Sequence, residues 1–102
     1  GIVQGLGYAI TEQLIQRDGV ILAPGFMDYY IPLSTDIPEI VSIFVEEQSK
    51  VGPFGLKGLG EAPIEPVLGA VGNAISHAVG VPLRKAPFTP EEVYLSVKEA
   101  DR

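Results

Sequence analysis

The spacing of hydrophobic residues near the start of the chain predicts a first helix over residues 5–16. Leu6, Ile10 and Leu14 recur four residues apart and mark one apolar face. Gly19 follows the last of these positions, and glycine commonly stands just beyond a helix end. We therefore expect Gly19 to close this helix.

A longer apolar stripe predicts a second helix, which begins near Pro66 because proline suits a first helical turn. Its apolar positions recur at helical spacing: Val67, Leu68, Val71, Ala74, Ile75 and Ala78. Gly69 and Gly72 inside the stripe each cost about 1 kcal/mol relative to alanine. We expect close packing against a neighbour or a bound group in return, and an end at Gly80 and Pro82.

The segment Thr89-Pro90-Glu91-Glu92 predicts the start of a third helix, since it combines a capping box with proline at the first helical position. The helix should run to about Ala100. Val93 and Val97 then lie on its inner face.

Strand propensity is highest in residues 39–47, where most side chains are β-branched or aromatic. This segment is apolar on both faces, as expected if helices cover one face and further protein the other. Residues 20–22 and 29–31 are shorter strand candidates, and residues 34–38 resemble an ordered loop. The predicted fold class is α+β: a small layered domain with about three helices and a short two- to three-stranded sheet.

Composition narrows the possible functions. The chain has 102 residues, of which 46% are hydrophobic and 20% charged, values that suit one folded domain. The net charge of −6 argues against a nucleic-acid partner. No apolar run approaches ~20 residues, and no basic stretch resembles a signal peptide, so we expect a cytoplasmic protein without a membrane partner. The chain begins at Gly1 instead of Met, so we expect a processed chain or a piece cut from a longer protein.

The absence of cysteine excludes disulfides, thiolate nucleophiles and cysteine metal sites. His77, the single histidine, cannot form a metal site alone. Its place near the end of the second helix favours a polar face or an interaction with the helix dipole.

The most informative segment is the glycine-rich stretch at residues 52–61. Four glycines occur within nine positions, and Glu61 follows at once. Such a loop can bring its backbone close to a ligand and then present a base. The alternative is an ordinary glycine-rich turn into a helix, with Glu61 near the helix start.

The chain does not match either of two nucleotide-binding motifs, because the required residues are missing at the required spacing. A phosphate-binding loop needs Gly-Lys followed by Ser or Thr, but Lys57 follows Leu56 and precedes Gly58. The dinucleotide fingerprint needs glycine or alanine where this chain has Ile10 and Pro63.

Several motifs, in this order, resemble a known family. They are Gln4-Gly5-Leu6-Gly7, Asp28-Tyr29-Tyr30-Ile31-Pro32, Asp36-Ile37-Pro38, Gly52-Pro53-Phe54-Gly55-Leu56-Lys57-Gly58-Leu59-Gly60-Glu61, Asn73-Ala74-Ile75 and Pro87-Phe88-Thr89-Pro90-Glu91. The ordered set resembles the C-terminal part of the molybdopterin-binding large subunit of the xanthine dehydrogenase and aldehyde oxidase family. The resemblance covers nearly the whole chain, and its most specific part is the stretch that ends at Glu61.

This resemblance implies a segment of an enzyme. Residues 1–102 would form the C-terminal portion of a molybdopterin-binding catalytic domain in a longer subunit. Such enzymes use water and a molybdenum–pyranopterin cofactor to hydroxylate an sp2 carbon in an N-heterocycle or an aldehyde. The expected partners are the remainder of that subunit and the domains or subunits that carry FeS clusters and FAD.

The resemblance also assigns roles to individual residues. Glu61 would be the general base that takes a proton from water, and backbone amides at the loop or helix start should favour its charge. Gln4 would lie at the cofactor, where its amide can donate and accept. Gly58, Leu59 and Gly60 would form the loop that reaches the cofactor. No protein ligand to the metal is implied.

Other residues have simpler interpretations. Lys57 suits a structural or solvated lysine. Tyr29 and Tyr30 should pack, with hydroxyl groups that need partners if they are buried.

We expect the isolated chain to fold but to bind no cofactor and to have no turnover, because one glutamine and one loop cannot enclose a large ligand. Uncovered apolar surface should make it self-associate. Two alternatives stay open: a non-catalytic structural or protein-interaction domain, and a paralogue that keeps the fold without turnover.

Overall fold

The computed structural model describes residues 1–22 and 24–102, and it confirms the α+β class. Within those residues it contains three α-helices, one 3-10 turn and one two-stranded antiparallel sheet. In chain order these are α1 (Ile2–Ile10), β1 (Gln16–Arg17), β2 (Val20–Ile21), the 3-10 turn (Pro53–Gly55), α2 (Glu65–Val79) and α3 (Pro90–Ala100).

Helix α1 lies earlier in the chain than residues 5–16, so the predicted bounds are wrong. Its buried residues are Gly5, Gly7 and Ala9, which means that small side chains form its inner face. Glycine disfavours a helix interior, yet Gly5 and Gly7 lie inside α1. Packing against α2 overrides that local preference.

The end of α1 is fixed by backbone hydrogen bonds. The N–H groups of Thr11 and Glu12 both donate to the Gly7 carbonyl oxygen, at 2.9 and 2.8 Å. Leu14 therefore lies outside the helix and is 54% exposed.

Gly19 belongs to a hairpin and does not close a helix, which corrects the prediction. Asp18 and Gly19 form the two-residue loop between β1 and β2, with φ angles of 51° and 80°. Positive φ at both positions is the favoured geometry for such a loop. The strand predicted at residues 20–22 is confirmed at Val20–Ile21.

Helices α1 and α2 approach closely at Gly5. A Cβ atom placed on Gly5 would lie 2.7 Å from the Val67 Cβ and 2.9 Å from the Ile64 carbonyl oxygen. No side chain fits there without movement of one helix. Gly5 therefore sets the separation of the two helices.

Phe88 completes the small core beside α1 and α2. Its N–H donates to the carbonyl oxygen of the fully buried Ala9, at 2.7 Å. Its ring lies over Gly72, where an added Cβ would come within 2.7 Å of Phe88 Cζ. The expected close packing of α2 is thus confirmed at Gly72, whereas a Cβ on Gly69 would have no neighbour within 4 Å.

The apolar stripe of α2 is only partly covered. Val67, Val71 and Ile75 are half-buried, whereas Leu68, Ala74 and Ala78 are exposed.

Local signals placed the ends of α2 and α3 correctly. Pro66 lies in the first turn of α2, and Gly80 ends that helix with a left-handed φ of 73°. The Thr89 side chain caps α3 by accepting from the Glu92 N–H at 3.2 Å. Helix α3 ends at Ala100, as predicted, and Val93 and Val97 are half-buried.

Two of the predicted strands are wrong. Residues 29–31 follow a turn in which the N–H groups of Asp28 and Tyr29 donate to the Gly25 carbonyl oxygen. Residues 39–47 have no paired strand, because no other strand lies beside them in the described part of the chain. The ordered loop at residues 34–38 is confirmed as a turn closed by hydrogen bonds between Leu33 and Asp36.

The chain covers little of its own apolar surface. Its accessible surface is 8423 Å², whereas a free-standing domain of this mass exposes about 5,600 Å². The Cα radius of gyration is 17.4 Å, against about 13 Å for a compact domain of this length. Among the described residues, the buried hydrophobic side chains are Ala9 and Phe88. The same residues include no helix of the length and hydropathy needed to cross a membrane.

Two glycine substitutions in α2 test this packing. Gly72→Ala should lower the free energy of unfolding by about 1–3 kcal/mol, because the new methyl overlaps the Phe88 ring. Gly69→Ala, the matched control, should raise it by about 0.5–1 kcal/mol through helix propensity alone. Urea denaturation of the two variants measures both changes. Equal effects of the two substitutions would contradict the packing of Phe88 on Gly72.

Candidate functional site

The N-terminal turn of α1 lies against the end of the glycine-rich loop. A Cβ atom placed on Gly1 would lie 2.9 Å from the Pro63 Cβ and 3.4 Å from the Gly60 carbonyl oxygen. The Gly5 N–H donates to the Gly1 carbonyl oxygen at 2.9 Å, and this bond holds Gly1 at the first turn of α1. Two segments far apart in sequence therefore meet at the predicted site.

An open groove of about 830 Å³ lies at this junction. It is lined by residues 1–3, 40–44, 59–60 and Pro63, most of which are apolar. Leu59 and Gly60, both predicted to bind the cofactor, thus lie in the same groove as the start of α1. The groove is open to solvent, and Leu59 is 55% exposed.

Gln4 lies in a neighbouring groove of about 410 Å³, which shares Gly1 and Val3 with the first one. Its Nε2 donates to the Tyr8 hydroxyl at 2.7 Å, one helical turn away. Gln4 is exposed, so its amide oxygen and second N–H can reach a ligand. The structure therefore brings Gln4 and the loop to adjacent sides of the α1 N-terminus.

Glu61 follows Gly60 in a bend and is exposed. Its carbonyl oxygen accepts from the Ile64 N–H at 2.9 Å, which closes the turn that leads into α2. Among the described residues no donor reaches the Glu61 carboxylate. We predicted that backbone amides would donate to this carboxylate, and no such bond is found among the described residues. The nearby Ile64 N–H donates to the Glu61 carbonyl oxygen instead.

The glycines of the loop act mainly by lacking a side chain. Of these glycines only Gly55 has positive φ, at 80°. Gly58 and Gly60 have no atom within 4 Å of an added Cβ. Open space beside an exposed backbone lets a bulky group approach this part of the loop.

Hydrogen bonds from Ser49 hold the first half of the loop, and the second half, residues 56–60, is exposed. The Ser49 Oγ accepts from the Val51 and Gly52 N–H groups, and the Ser49 N–H donates to the Gly55 carbonyl oxygen. Lys57 forms an exposed ion pair with Glu47 at 3.4 Å. Lys57 is thus a surface lysine, as the sequence suggested.

Comparison with known proteins adds independent findings. A family model described as "Molybdopterin cofactor-binding domain" matches residues 1–38. The xanthine dehydrogenase molybdenum-binding subunit of Escherichia coli O157:H7 is 38% identical over 96 residues, which are 92% of this chain and 13% of that protein. The aldehyde oxidoreductase of Megalodesulfovibrio gigas is 34% identical over 101 residues, covering 96% of this chain and 11% of that protein.

A solved structure agrees with the sequence relatives. The crystal structure of quinoline 2-oxidoreductase from Pseudomonas putida 86 matches with a TM-score of 0.80 and 33% identity, over 96% of this chain and 13% of that chain. Over more than 90% of its length, the chain is similar to members of the xanthine dehydrogenase and aldehyde oxidase family. It corresponds to part of a molybdopterin-binding region, and it spans only 11–13% of the relatives named here.

Two tyrosines of the chain pack through hydrogen bonds to carboxylates. The Tyr29 hydroxyl donates to Glu12 Oε2 at 2.7 Å, and the Tyr30 hydroxyl donates to Asp36 Oδ2 at 2.7 Å. The bond to Glu12, with some burial, raises the pKa of Tyr29 to about 12. The Tyr30 hydroxyl and the Leu33 N–H hold the pKa of Asp36 below its usual range.

Sequence reasoning missed Tyr8, which accepts a hydrogen bond from the Gln4 amide, and Glu12 in the groove that holds Gln4. Glu12 lines that groove and is held by Tyr29. The spacing of Gln4 and Tyr8, four residues apart, was a usable signal, since such pairs are neighbours on a helix. Glu12 carried no signal, because its partner is distant in sequence.

The described residues contain no group of three or more His, Cys, Asp or Glu side chains that could hold a metal ion. His77 is exposed in the last turn of α2, where the sequence placed it.

The bond between Tyr29 and Glu12 predicts a late step in tyrosine ionisation. Because the folded pKa of Tyr29 exceeds its usual value of 10.0, the bond stabilises the fold fully below about pH 10 and is lost as pH rises through about 12. An absorbance titration should show a step near pH 12 that disappears in Tyr29→Phe. In Glu12→Gln that step should move toward pH 10. A step near pH 12 that persists in Tyr29→Phe would contradict this assignment.

Proposed function

We propose that the chain is the C-terminal portion of the molybdopterin-binding domain of a molybdenum hydroxylase. The parent enzyme would hydroxylate an sp2 carbon of an N-heterocycle or an aldehyde with oxygen from water. One observation carries this proposal: the loop that ends at Glu61 packs on the helix turn that carries Gln4. That helix turn lies within residues 1–38, which the cofactor-binding family model matches. The relatives support the substrate classes, because their names include xanthine, aldehyde and quinoline.

The residues present fit one wall of a cofactor pocket. Gln4 offers an exposed amide, and Gly58 and Gly60 offer a backbone with open space beside it. The grooves beside them are open, so the other walls would come from the remainder of the subunit. When bound, the molybdenum–pyranopterin cofactor supplies the redox chemistry, and the protein supplies binding, orientation and proton transfer.

Glu61 would act as the general base in this arrangement. Its carboxylate would accept a proton from water as the water oxygen attacks the substrate carbon. A positioned base contributes about 10²- to 10⁴-fold to a rate. Gln4, Gly58, Leu59 and Gly60 would hold the cofactor beside this carboxylate.

Other parts of the assembly follow from the same proposal. FeS clusters and FAD on other domains or subunits would take the electrons from the site. The isolated chain would bind no cofactor and have no turnover, since its Gln4 and Glu61 are both exposed and a binding site of this kind must bury most of its ligand.

Replacement of Glu61 in the parent enzyme tests its role. Glu61→Gln keeps the size of the side chain but removes the base, so turnover should fall by about 10²-fold or more while molybdenum content stays unchanged. Glu65→Gln is the matched control, because Glu65 is also exposed and lies one helical turn further along the chain. Steady-state turnover on N-heterocycles and aldehydes, with metal analysis of each preparation, gives the result.

Unchanged turnover in Glu61→Gln would remove this residue from the mechanism. A wild-type parent protein with neither molybdenum nor turnover would favour a non-catalytic interaction domain.

Replacement of Gln4 tests the cofactor contact. Gln4→Leu removes both the donor and the acceptor, so retention of the cofactor should weaken by roughly 2- to 12-fold, the equivalent of one hydrogen bond. Gln13→Leu is the control, since Gln13 is exposed and lies beyond the end of α1. The measurement is the molybdenum and pterin content of the parent enzyme after dialysis. Equal content in both variants would place Gln4 away from the cofactor.

A further inference from the structure

The Gln4 amide, which is predicted to lie at the cofactor, already has one bonded neighbour within this chain. Its Nε2 donates to the Tyr8 hydroxyl at 2.7 Å. Among the described residues, no second side chain forms a hydrogen bond with this amide. The contact with Tyr8 therefore decides where the Gln4 amide lies in this part of the protein.

The spacing of the two residues lets the bond form along a regular helix. Residues four apart are neighbours on a helix surface. Helical side chains also tilt toward the N-terminus, so the Tyr8 ring extends back toward Gln4. Tyr8 is 42% exposed, which means that more than half of its surface is covered by the chain itself.

Tyr8 lies on a part of α1 whose backbone is held on both sides of it. A Cβ atom placed on Gly7 would overlap the Glu12 carboxylate and lie 2.9 Å from Pro32 Cδ, so both groups pack against the helix there. Ala9, on the other side of Tyr8, is fully buried. Packing therefore fixes the backbone that carries the Tyr8 ring, whereas the long Gln4 side chain is exposed.

The chemistry of the pair suits a side chain that must be held before a ligand arrives. A tyrosine hydroxyl can accept one hydrogen bond and still donate another. The bond to Tyr8 uses one hydrogen of the Gln4 Nε2 and leaves the amide oxygen and the second N–H for a ligand. A glutamine loses rotamer freedom when a ligand fixes it, and a side chain that is already held loses less.

We propose that Tyr8 is a positioning residue, whose hydroxyl holds the Gln4 amide in place for the molybdenum–pyranopterin cofactor. The inference rests on the proposed function, because the position of Gln4 matters only if Gln4 contacts the cofactor. Once the cofactor and the remainder of the subunit exclude water from this groove, the bond strengthens, since a hydrogen bond is stronger at low dielectric. Tyr8 acts through Gln4, so its contribution does not exceed that of Gln4.

Loss of cofactor from the purified parent enzyme tests this role. Tyr8→Phe keeps the ring and removes the hydroxyl, so molybdenum and pterin should leave about 3- to 12-fold faster during dialysis, the equivalent of one hydrogen bond. The temperature is set so that the unaltered enzyme loses a measurable fraction. Tyr94→Phe is the matched control, because Tyr94 is exposed on α3, and it should lose cofactor at the unaltered rate.

The same substitution in a Gln4→Leu background separates positioning from a structural effect. Leucine offers no amide for Tyr8 to hold, so Tyr8→Phe should then change the rate of cofactor loss by less than about 2-fold, which is the usual error of such a cycle. Equal effects of Tyr8→Phe in both backgrounds would indicate a structural role or a direct contact with the cofactor, and would overturn the inference. An unchanged rate in Tyr8→Phe alone would also overturn it.

Gln4→Leu alone tests the proposed function separately. Faster loss from Gln4→Leu with an unchanged rate in Tyr8→Phe would reject only the positioning role of Tyr8. An unchanged rate in Gln4→Leu would reject the cofactor contact, and the inference would fall with it. A crystal structure of the unaltered parent enzyme needs no variant to fold: a Gln4 amide beyond hydrogen-bond distance of the Tyr8 hydroxyl would overturn the inference.

Discussion

The close approach of α1 to α2 is the constraint on which the candidate site depends. Gly5 leaves no room for a side chain between the helices, and Ala9 is fully buried beside Phe88. Because α1 is held in this way, its first turn lies against Gly60 and Pro63. Gln4 and the glycine-rich loop become neighbours through this contact, although 48 positions separate Gln4 from Gly52, the first residue of the loop.

The sequence predicted correctly those helix ends that depend only on residues close by in the chain. The Thr89 cap and the left-handed Gly80 each satisfy groups within a few residues, and both ends were placed correctly. The bounds of α1 could not be predicted, since Gly5 is favourable there only because another helix needs the space. For residues 39–47 the propensity indicates a strand, but no partner strand lies beside them in the described part of the chain.

At the candidate site, too, the sequence predicted some features, and others came only from the structure. The order of several short motifs was enough to recognise the resemblance to the family and to nominate Gln4, Gly58, Leu59, Gly60 and Glu61. Leu59 and Gly60 line the same groove as the start of α1, and their role at a cofactor stays a prediction. The groups that surround Gln4 came only from the structure, because they are contacts across the fold. Glu61 is exposed in this segment, and under the proposed function protein beyond the segment would complete its surroundings.

The central claim is that Glu61 is positioned to take a proton from the attacking water, beside a cofactor held by Gln4 and the loop. A crystal structure of the parent enzyme with its cofactor and a slow substrate tests this most directly. The account predicts a Glu61 carboxylate oxygen within about 2.6–3.2 Å of the water oxygen that faces the substrate carbon. A Glu61 carboxylate that points away from both the water and the substrate, with the cofactor fully bound, would contradict it.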